Sequence, residues 1–312
     1  LVGFVGKDGA QEGLEKSYDR TLSGLSGRKK YYKNAKQDIF SQPIEIKKPI
    51  QGTDIKLTID ATIQFYAYKY LVEGIKNNNA KAGSVIILDN EKGEVLAVAS
   101  YPSYNPNNPA RKIQKNRALV DAYELGSVIK PIVLSKAIDI KTISPKKEIE
   151  IPRRLNLNDK VIVDSKNHES LTPQEIIAVS SQIGASKIAL ELGYENLKRN
   201  YFDFGFTKPV SINFPSSAFG YMNIKENVTD KELASLGYGY GITISPFQIA
   251  TAYSVFANEG IFKDFKILKN QEDTSRRVIS SDSADYILEA LRKVIKAVSY
   301  THLRAHETLD NR

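Results

Sequence analysis

The sequence contains no cysteine and only three histidines in 312 residues. Without cysteine, a thiol nucleophile, a disulfide bond and a thiolate metal site are all excluded. Two of the histidines, His302 and His306, lie within residues 299–312, so His168 is the only one in the rest of the chain. A histidine-based catalytic triad or a histidine-rich metal site is therefore not expected. We expect no metal ion and no cofactor, and the composition favours chemistry based on serine and lysine.

Long hydrophobic runs are also missing. No stretch of 18 or more apolar residues is present, so the sequence as it stands contains no membrane span. Hydrophobic residues nevertheless make up 41% of the composition, which is enough for a substantial core in a chain of 312 residues. The length predicts one large domain accompanied by a small one.

Basic residues outnumber acidic ones, which gives a net charge of +8. The basic doublets and triplets are scattered between segments, as expected for solvated loops: 28–30, 47–48, 146–147, 153–154 and 276–277. Nucleic-acid binding would require them to cluster on one element with interleaved aromatic residues, and no such arrangement is present beyond Tyr31 and Tyr32, so no nucleic-acid partner is expected. Attraction to an anionic bilayer surface is compatible with this charge.

Ser127 and Lys130 are three residues apart in a segment that the sequence predicts to be the start of a helix. Residues at this spacing lie on one face of a helix, so the Lys130 amine can reach the Ser127 hydroxyl and take its proton. Pro131 is tolerated only near a first helical turn, and Gly126 allows a tight turn into the helix. The Ser127 N–H would then lie at the positive end of the helix dipole, where it can bind an oxyanion. The apolar residues that follow predict a buried helix, and burial would lower the pKa of Lys130.

The spacing alone does not single out this pair, because Ser-x-x-Lys occurs three times in the chain. Ser26 and Lys29 lie in a segment rich in glycine and lysine, and Ser144 and Lys147 lie in a polar segment that contains a proline. Neither pair is followed by a predicted buried helix. On the pattern alone, a catalytic role for Ser127 and a chance match both remain open.

Residues 116–131 read NRALVDAYELGSVIKP, which resembles the pattern N-R-x-x-x-D-x-Y/F-E-P-G-S-x-x-K-P of the class B penicillin-binding proteins. These are D,D-transpeptidases that cross-link peptidoglycan. The similarity covers nearly the whole chain, because further segments match in order and spacing: 13–24, 57–64, 86–108 and 237–260. The segments 12–15 and 103–108 are most similar to the septal, cell-division members of the family, the FtsI type.

The second motif of the family is Ser-x-Asn, and the corresponding place here reads Ser180-Ser181-Gln182. The resemblance implies that Ser180 relays protons and that the side chain at position 182 binds the substrate backbone. Gln182 carries the same donors and acceptors as asparagine on one more methylene group, so the contact can persist with a shifted backbone. The alternative is that Ser180 only caps a helix or a turn.

The third motif, Lys-Thr-Gly or Lys-Ser-Gly, does not occur in the 312 residues. In the family it lies on a strand that follows the last predicted helix of this chain. Residues 299–312 resemble no part of the family and are similar to translated sequencing-adapter tails, so we interpret them as foreign, with a divergent native tail as the alternative. Together with the opening at Leu1, this predicts a chain that lacks the family's N-terminal membrane anchor and its C-terminal strands.

The predicted fold is α+β, with helices packed on an antiparallel sheet as in the penicillin-binding domain. Residues 1–50 are predicted to form part of the small N-terminal pedestal and a linker, and residues 51–298 the truncated transpeptidase domain. An amphipathic helix is predicted at 62–75, and a β-hairpin at 85–88 and 95–99. Further helices are predicted near 127–139, 173–191, 245–258 and 281–296.

The resemblance implies an enzyme in which Ser127 is the nucleophile, Lys130 its base and Ser180 a proton relay. Its substrates would be peptidoglycan stem peptides, and β-lactams would acylate the same serine. The implied location is the periplasmic face of the inner membrane, with a septal glycosyltransferase and other division proteins as partners. Because the missing strand would supply one of two oxyanion donors, the 312-residue chain itself is expected to be inactive.

Two other functions remain open. A non-catalytic scaffold of the division machinery is compatible with Gln182 and with Leu125, where the family usually has proline. A serine β-lactamase or penicillin sensor shares Ser-x-x-Lys, but the pedestal and the absence of an evident deacylating glutamate motif argue against it.

Overall fold

The computed structural model describes residues 1–6, 8–108, 115–223 and 225–296, so the predicted foreign tail at 299–312 lies outside the described residues. The α-helices of the described residues are α1 (Gly13–Ser17), α2 (Asp19–Leu22), α3 (Ala61–Asn77), α4 (Arg117–Val120), α5 (Lys130–Asp139), α6 (Pro173–Ala178), α7 (Gln182–Leu192), α8 (Tyr194–Asp203), α9 (Asp230–Gly237), α10 (Pro246–Ala257) and α11 (Ser281–Lys296). A 3₁₀ helix, Gly126–Ile129, leads directly into α5.

The strands of the described residues are short and pair antiparallel. They are β1 (Phe4–Gly6), β2 (Gly9–Glu12), β3 (Arg28–Lys30), β4 (Ile44–Lys47), β5 (Gly83–Asp89), β6 (Glu94–Tyr101), β7 (Tyr123–Glu124), β8 (Ile149–Glu150), β9 (Leu155–Leu157), β10 (Lys160–Ile162), β11 (Ser170–Leu171), β12 (Tyr221–Met222), β13 (Ile242–Ile244), β14 (Ile261–Asp264) and β15 (Thr274–Arg277). The longest pair is β5 with β6, and β13 lies between β12 and β7 in a three-stranded sheet.

The β5–β6 hairpin lies between helices on its two faces. Ala97 and Ala99 point to one face and pack with Ala67 of α3, where small side chains let the helix lie close. Val98 points to the opposite face and packs in a cluster with Phe247 of α10. This alternation is the period of two expected of a strand that is buried on both sides. The predicted α+β class, with helices on an antiparallel sheet, is confirmed.

Most predicted elements are found close to their expected positions. The helix predicted at 62–75 is α3, and Asp60 caps it by accepting the N–H of Ile63 at 2.9 Å. The predicted hairpin is β5 with β6, and the helices predicted near 245–258 and 281–296 are α10 and α11. A reciprocal capping box between Ser245 and Gln248 begins α10.

The prediction of one helix over 173–191 is wrong. The apolar periodicity continues through this stretch, but the structure has two helices, α6 and α7, separated at residues 179–181. Ser180 adopts a left-handed backbone conformation with φ of +60°, which a continuing helix cannot contain. The break matters because it lies beside Lys130.

The helix α5 is at the centre of the largest buried cluster. Eight of its ten residues are buried, and it contacts α6, α7, α8 and α11. A helix that is enclosed on all sides keeps its first residue, Lys130, away from water. The fold therefore places the lysine of the Ser-x-x-Lys pair at the edge of the core.

Candidate active site

Ser127 lies in the 3₁₀ helix that precedes α5, and Lys130 is the first residue of α5. The chain enters this turn through Gly126, whose φ of +57° belongs to the left-handed region that favours glycine. Pro131 occupies the first turn of α5, where its missing N–H is not needed. Lys130 Nζ lies 3.1 Å from Ser127 Oγ, within hydrogen-bond distance. The structure therefore brings the two residues together.

The other two Ser-x-x-Lys pairs have different surroundings. Ser26 and Lys29 are exposed on the ribbon formed by β3 and β4. Lys147 forms an ion pair with Glu191, with Nζ 2.7 and 2.9 Å from the two carboxylate oxygens. Lys29 and Lys147 are both exposed, so among the three pairs only that of Ser127 has a buried lysine.

Lys130 is 1% exposed. Burial lowers the pKa of Lys130 from its ordinary value of 10.5 to about 8, although attraction by the Asp164 carboxylate opposes part of this shift. A substantial fraction of the amine is therefore neutral near pH 8, which is the state that can accept a proton.

Three oxygens surround Lys130 Nζ. They are Ser180 O at 2.6 Å, Ser180 Oγ at 3.0 Å and Ser127 Oγ at 3.1 Å. The carbonyl oxygen can only accept, so one N–H of the amine is directed to it, whereas the two hydroxyl contacts can run in either direction. In the neutral amine, the lone pair can therefore accept the Ser127 proton while an N–H donates to Ser180. This arrangement can move a proton from one serine to the other.

Ser180 reaches Lys130 because the chain turns back between α6 and α7. The N–H of Ser180 donates to the carbonyl of Ile177 at 3.2 Å, and the N–H of Ser181 donates to the carbonyl of Ile176 at 3.0 Å. The left-handed conformation of Ser180 brings both its carbonyl and its hydroxyl to the amine. The residue that caps α7 is Ser181, whose Oγ accepts the N–H of Gly184 at 2.9 Å.

Asp164 holds this turn in place, although no pattern in the sequence indicates it. Its Oδ1 accepts the N–H of Gln182 at 2.6 Å and the N–H of Ile183 at 3.1 Å, and its Oδ2 accepts the hydroxyl of Ser181. A carboxylate at this position compensates the unpaired N–H groups and the positive dipole at the start of α7. Asp164 therefore connects the loop after β10 to the residue that follows Ser180.

Gln182 is the first residue of α7 and its side chain is exposed. It lines a cleft of about 240 Å³ together with Lys160, Val161, Tyr238 and Tyr240. The backbone N–H of Gln182 donates to Asp164. The structure brings Ser127 and Ser180 together through Lys130, whose amine contacts both hydroxyls.

Gly239, from the Gly- and Tyr-rich loop before β13, packs against the turn that carries Ser127. The N–H of Gly126 donates to the Gly239 carbonyl at 3.2 Å. A Cβ at position 239 would lie 2.1 Å from the Gly126 carbonyl oxygen, and its φ of +95° also disfavours any other residue. Glycine is therefore required where this loop supports the turn.

The family resemblance implies that penicillin acylates Ser127, and we expect Asp164→Asn to slow that acylation in the full-length protein by about 10-fold or more. The amide loses charge-assisted hydrogen bonds at the start of α7, each worth about 1.5–3 kcal/mol, so the turn that positions Ser180 is loosened. The rate of penicillin acylation as a function of pH is the measurement. Because Asp164 raises the pKa of Lys130, its neutralisation should also move the midpoint of the profile to lower pH.

The matched control is Asp159→Asn. Asp159 lies between β9 and β10, its carboxylate is exposed, and it pairs with Lys231. This variant should acylate as fast as the parent, with the same midpoint. A slower rate for Asp164→Asn without a displaced midpoint would indicate general destabilisation and not a positioning role.

Comparison with known proteins gives a consistent result. Residues 83–308 match the family described as penicillin binding protein transpeptidase domain. The chain is 32% identical over 302 residues to a protein named "Probable peptidoglycan D,D-transpeptidase PbpC" of Pseudomonas aeruginosa, covering 95% of this chain and 54% of the relative. It is 34% identical over 273 residues to peptidoglycan D,D-transpeptidase FtsI of Buchnera aphidicola subsp. Schizaphis graminum, covering 86% of this chain and 48% of the relative.

A solved structure is similar as well. It is the apo structure of the TP domain from Burkholderia pseudomallei penicillin-binding protein 3, which superimposes with a TM-score of 0.70 at 32% identity and covers 77% of this chain and 70% of that chain. The chain spans about half the length of the two sequence relatives.

Proposed function

This chain belongs to the penicillin-binding protein transpeptidase family, and on that premise we propose that the protein is a peptidoglycan D,D-transpeptidase that works through an acyl-enzyme on Ser127. The observation that carries the proposal is the buried Lys130 amine, which lies within hydrogen-bond distance of both Ser127 Oγ and Ser180 Oγ. A lysine with a lowered pKa next to a serine is the arrangement needed for an activated nucleophile.

Acylation begins with Ser127 Oγ attacking the carbonyl carbon between the last two D-alanines of a stem peptide. Lys130 Nζ takes the hydroxyl proton as the C–O bond forms, and negative charge develops on the carbonyl oxygen, towards which the Ser127 N–H can donate. The C–N bond then breaks, and the departing D-alanine amine receives a proton from Lys130 through Ser180 Oγ. The products are free D-alanine and an ester on Ser127.

Transfer of the acyl group from Ser127 to a second stem peptide reverses these proton movements. An amine from a neighbouring stem peptide attacks the ester carbonyl and gives up a proton, and Lys130 returns a proton to Ser127 Oγ as the ester bond breaks. A new peptide bond then joins two strands of peptidoglycan. A β-lactam acylates the same serine when its ring carbonyl is attacked, and the opened ring stays attached as an ester.

Substrate binding is assigned to the cleft beside Gln182. Its side-chain amide can donate to and accept from an extended peptide backbone, and Tyr240 supplies an exposed aromatic face. Lys160 lies in the same cleft, with Nζ 5.3 Å from the Tyr238 ring centroid, and adds positive charge that suits a terminal carboxylate.

We assign the protein to the periplasmic face of the inner membrane and to septal cross-linking. Support comes from the name of the FtsI relative and from the family's substrate, which lies outside the cytoplasm. A septal glycosyltransferase and other division proteins are the partners that this role requires. Among the described residues, no helix is long and apolar enough to cross a membrane.

A fluorescent penicillin tests the proposed function. Incubation of the full-length protein, proteolysis and mass spectrometry should locate one covalent adduct on the peptide that contains Ser127. The 312-residue chain should be labelled at least about 10²-fold more slowly, because it contains no Lys-Thr-Gly or Lys-Ser-Gly motif to supply the second oxyanion donor that the family resemblance implies. An adduct on another residue would refute the assignment of Ser127 as the nucleophile. Rapid release of hydrolysed penicillin would indicate that the protein is a β-lactamase.

The rate of acylation should depend on pH through Lys130. Burial lowers the pKa of this lysine to about 8, so the neutral base is lost as the pH falls through 8. Below that value the acylation rate of the full-length protein should fall by about 10-fold for each pH unit, and above it the rate should level off. Stopped-flow acylation between pH 6 and 10 is the measurement, and a profile that is flat from pH 6 to 8 would exclude Lys130 as the titrating base.

A further inference from the structure

Residues 25–50 form a ribbon that projects from the body of the protein. It contains β3 and β4, is closed at its base by the Leu25–Ile50 bridge, and turns at residues 34–38. Every residue in it is exposed except Ser41, which is half-buried. We name this segment the basic arm.

The basic arm has a large excess of positive over negative charge. It contains seven lysine and arginine residues against two acidic residues, so its net charge is +5, compared with +8 for the whole chain. None of its basic side chains forms an ion pair with any residue in the described ranges, in contrast to lysines of the body such as Lys147, Lys231 and Lys266. Its charge is therefore uncompensated within the described structure.

The same segment exposes large apolar side chains. Near the tip, Phe40 is 68% exposed and Ile39 is 56% exposed, and further exposed residues along the ribbon are Leu25, Tyr31, Tyr32, Ile44, Ile46 and Ile50. A two-stranded ribbon without a core is marginally stable in water, and a contiguous set of exposed apolar residues indicates an interaction surface. The arm thus combines apolar groups with unpaired cations.

We propose that the basic arm docks on the anionic lipid headgroups of a bilayer surface, with Phe40 and Ile39 placed at the boundary between headgroups and acyl chains. Lysine side chains keep their charged ends among headgroups while their stems lie along apolar surface, and tyrosines favour the same region. Lys30 Nζ lies 4.9 Å from the Tyr32 ring centroid, which places a cation and an aromatic ring side by side. Each basic residue close to such a surface strengthens binding roughly 5-fold.

The net charge of the basic arm favours a bilayer surface over a second copy of the protein as the partner that it contacts. A second copy would bring another net charge of +5 against the first, and like charges oppose that contact. Every residue of the basic arm except Ser41 is exposed, which favours a broad fluid surface over a shaped protein pocket. The inference does not depend on the proposed acyl transfer.

Vesicle sedimentation tests the electrostatic part. The 312-residue chain should sediment with vesicles that contain about 30 mol% phosphatidylglycerol in phosphatidylcholine. It should not sediment with vesicles of pure phosphatidylcholine. Added salt should release it from the anionic vesicles. Lys29→Glu/Lys30→Glu should weaken binding at least about 25-fold. The matched control, Arg153→Glu/Arg154→Glu, reverses an exposed basic doublet of the body and should keep the affinity of the parent.

Tryptophan fluorescence tests the placement of the tip. Because the protein has no tryptophan, Phe40→Trp introduces a single reporter, and its emission should shift to the blue and resist an aqueous quencher when the anionic vesicles are added. Phe65→Trp is the control, since Phe65 is 62% exposed on α3 and should show neither change.

Three results would overturn the proposal: equal binding to both kinds of vesicle, equal loss of binding in the two charge-reversal variants, or emission of the Phe40→Trp variant that is unchanged on binding. Concentration-dependent dimerisation of the lipid-free chain that Lys29→Glu/Lys30→Glu abolishes would also overturn it and identify a second copy as the occupant. Capture of the arm by an acidic protein, without vesicle binding, would assign it to a protein partner instead.

Discussion

Replacement of Ser127 by alanine is expected to reduce covalent labelling of the full-length protein by penicillin at least about 10⁴-fold. The substitution removes the oxygen that we propose forms the acyl bond. The other hydroxyl beside Lys130 belongs to Ser180, on a separate segment of the chain, and is not expected to replace it. The substitution removes a single oxygen atom, which forms a polar contact with Lys130 Nζ. Because little packing is lost, the variant should fold. Gel fluorescence after incubation with labelled penicillin measures the adduct, and thermal unfolding checks that the variant is folded.

The matched control is Ser144→Ala. Ser144 belongs to another Ser-x-x-Lys pair, but the lysine of that pair is held by Glu191. This variant should be labelled as fast as the parent. Labelling that survives in Ser127→Ala, or that disappears in Ser144→Ala, would contradict the assignment of the nucleophile.

Replacement of Lys130 by methionine should slow acylation by about 10²–10⁴-fold, which is the range that general bases contribute. Methionine has a similar length and fills the buried site, but it cannot accept the Ser127 proton. Two effects on stability oppose each other. Removal of the buried amine stabilises the fold because its desolvation is avoided, whereas the Ser180 oxygens lose their hydrogen-bond donor, which destabilises it. The free energy of unfolding is therefore expected to change by less than about 2 kcal/mol.

The Lys130→Arg variant distinguishes two roles of Lys130, as a base that accepts a proton and as a positive charge alone. Arginine keeps a positive charge and donors for Ser180, but its pKa is too high for it to accept a proton near neutrality. It should be as slow as Lys130→Met, and the residual activity of both variants should lose the rise with pH through 8. An arginine variant that acylates near the parental rate would show that Lys130 acts through its charge and not as a base.

Local patterns in the sequence were sufficient for several elements. The spacing of apolar residues and the Asp60 cap predict α3, and alternation across a turn predicts the β5–β6 hairpin, because both depend on contacts between residues close in sequence. The resemblance added the α+β class and the family, which the comparisons confirm.

The same periodicity failed at residues 179–181. Apolar residues continue at helical spacing from α6 into α7, so the sequence predicts one helix, but contacts with distant parts of the chain stabilise a break. Asp164, which lies 17 residues before Ser181, accepts hydrogen bonds from the new helix start. No pattern within a window of one helix contains that interaction.

The sequence by itself determined that Ser127 and Lys130 face each other, because three residues make nearly one turn at the start of a helix. Only the tertiary structure decided what that pair can do. Ser180 reaches the amine across 50 residues, and the packing around α5 excludes the water that would otherwise keep Lys130 charged. The physical reason is that burial and the left-handed turn at Ser180 are produced by contacts between distant segments, which spacing along the chain does not encode.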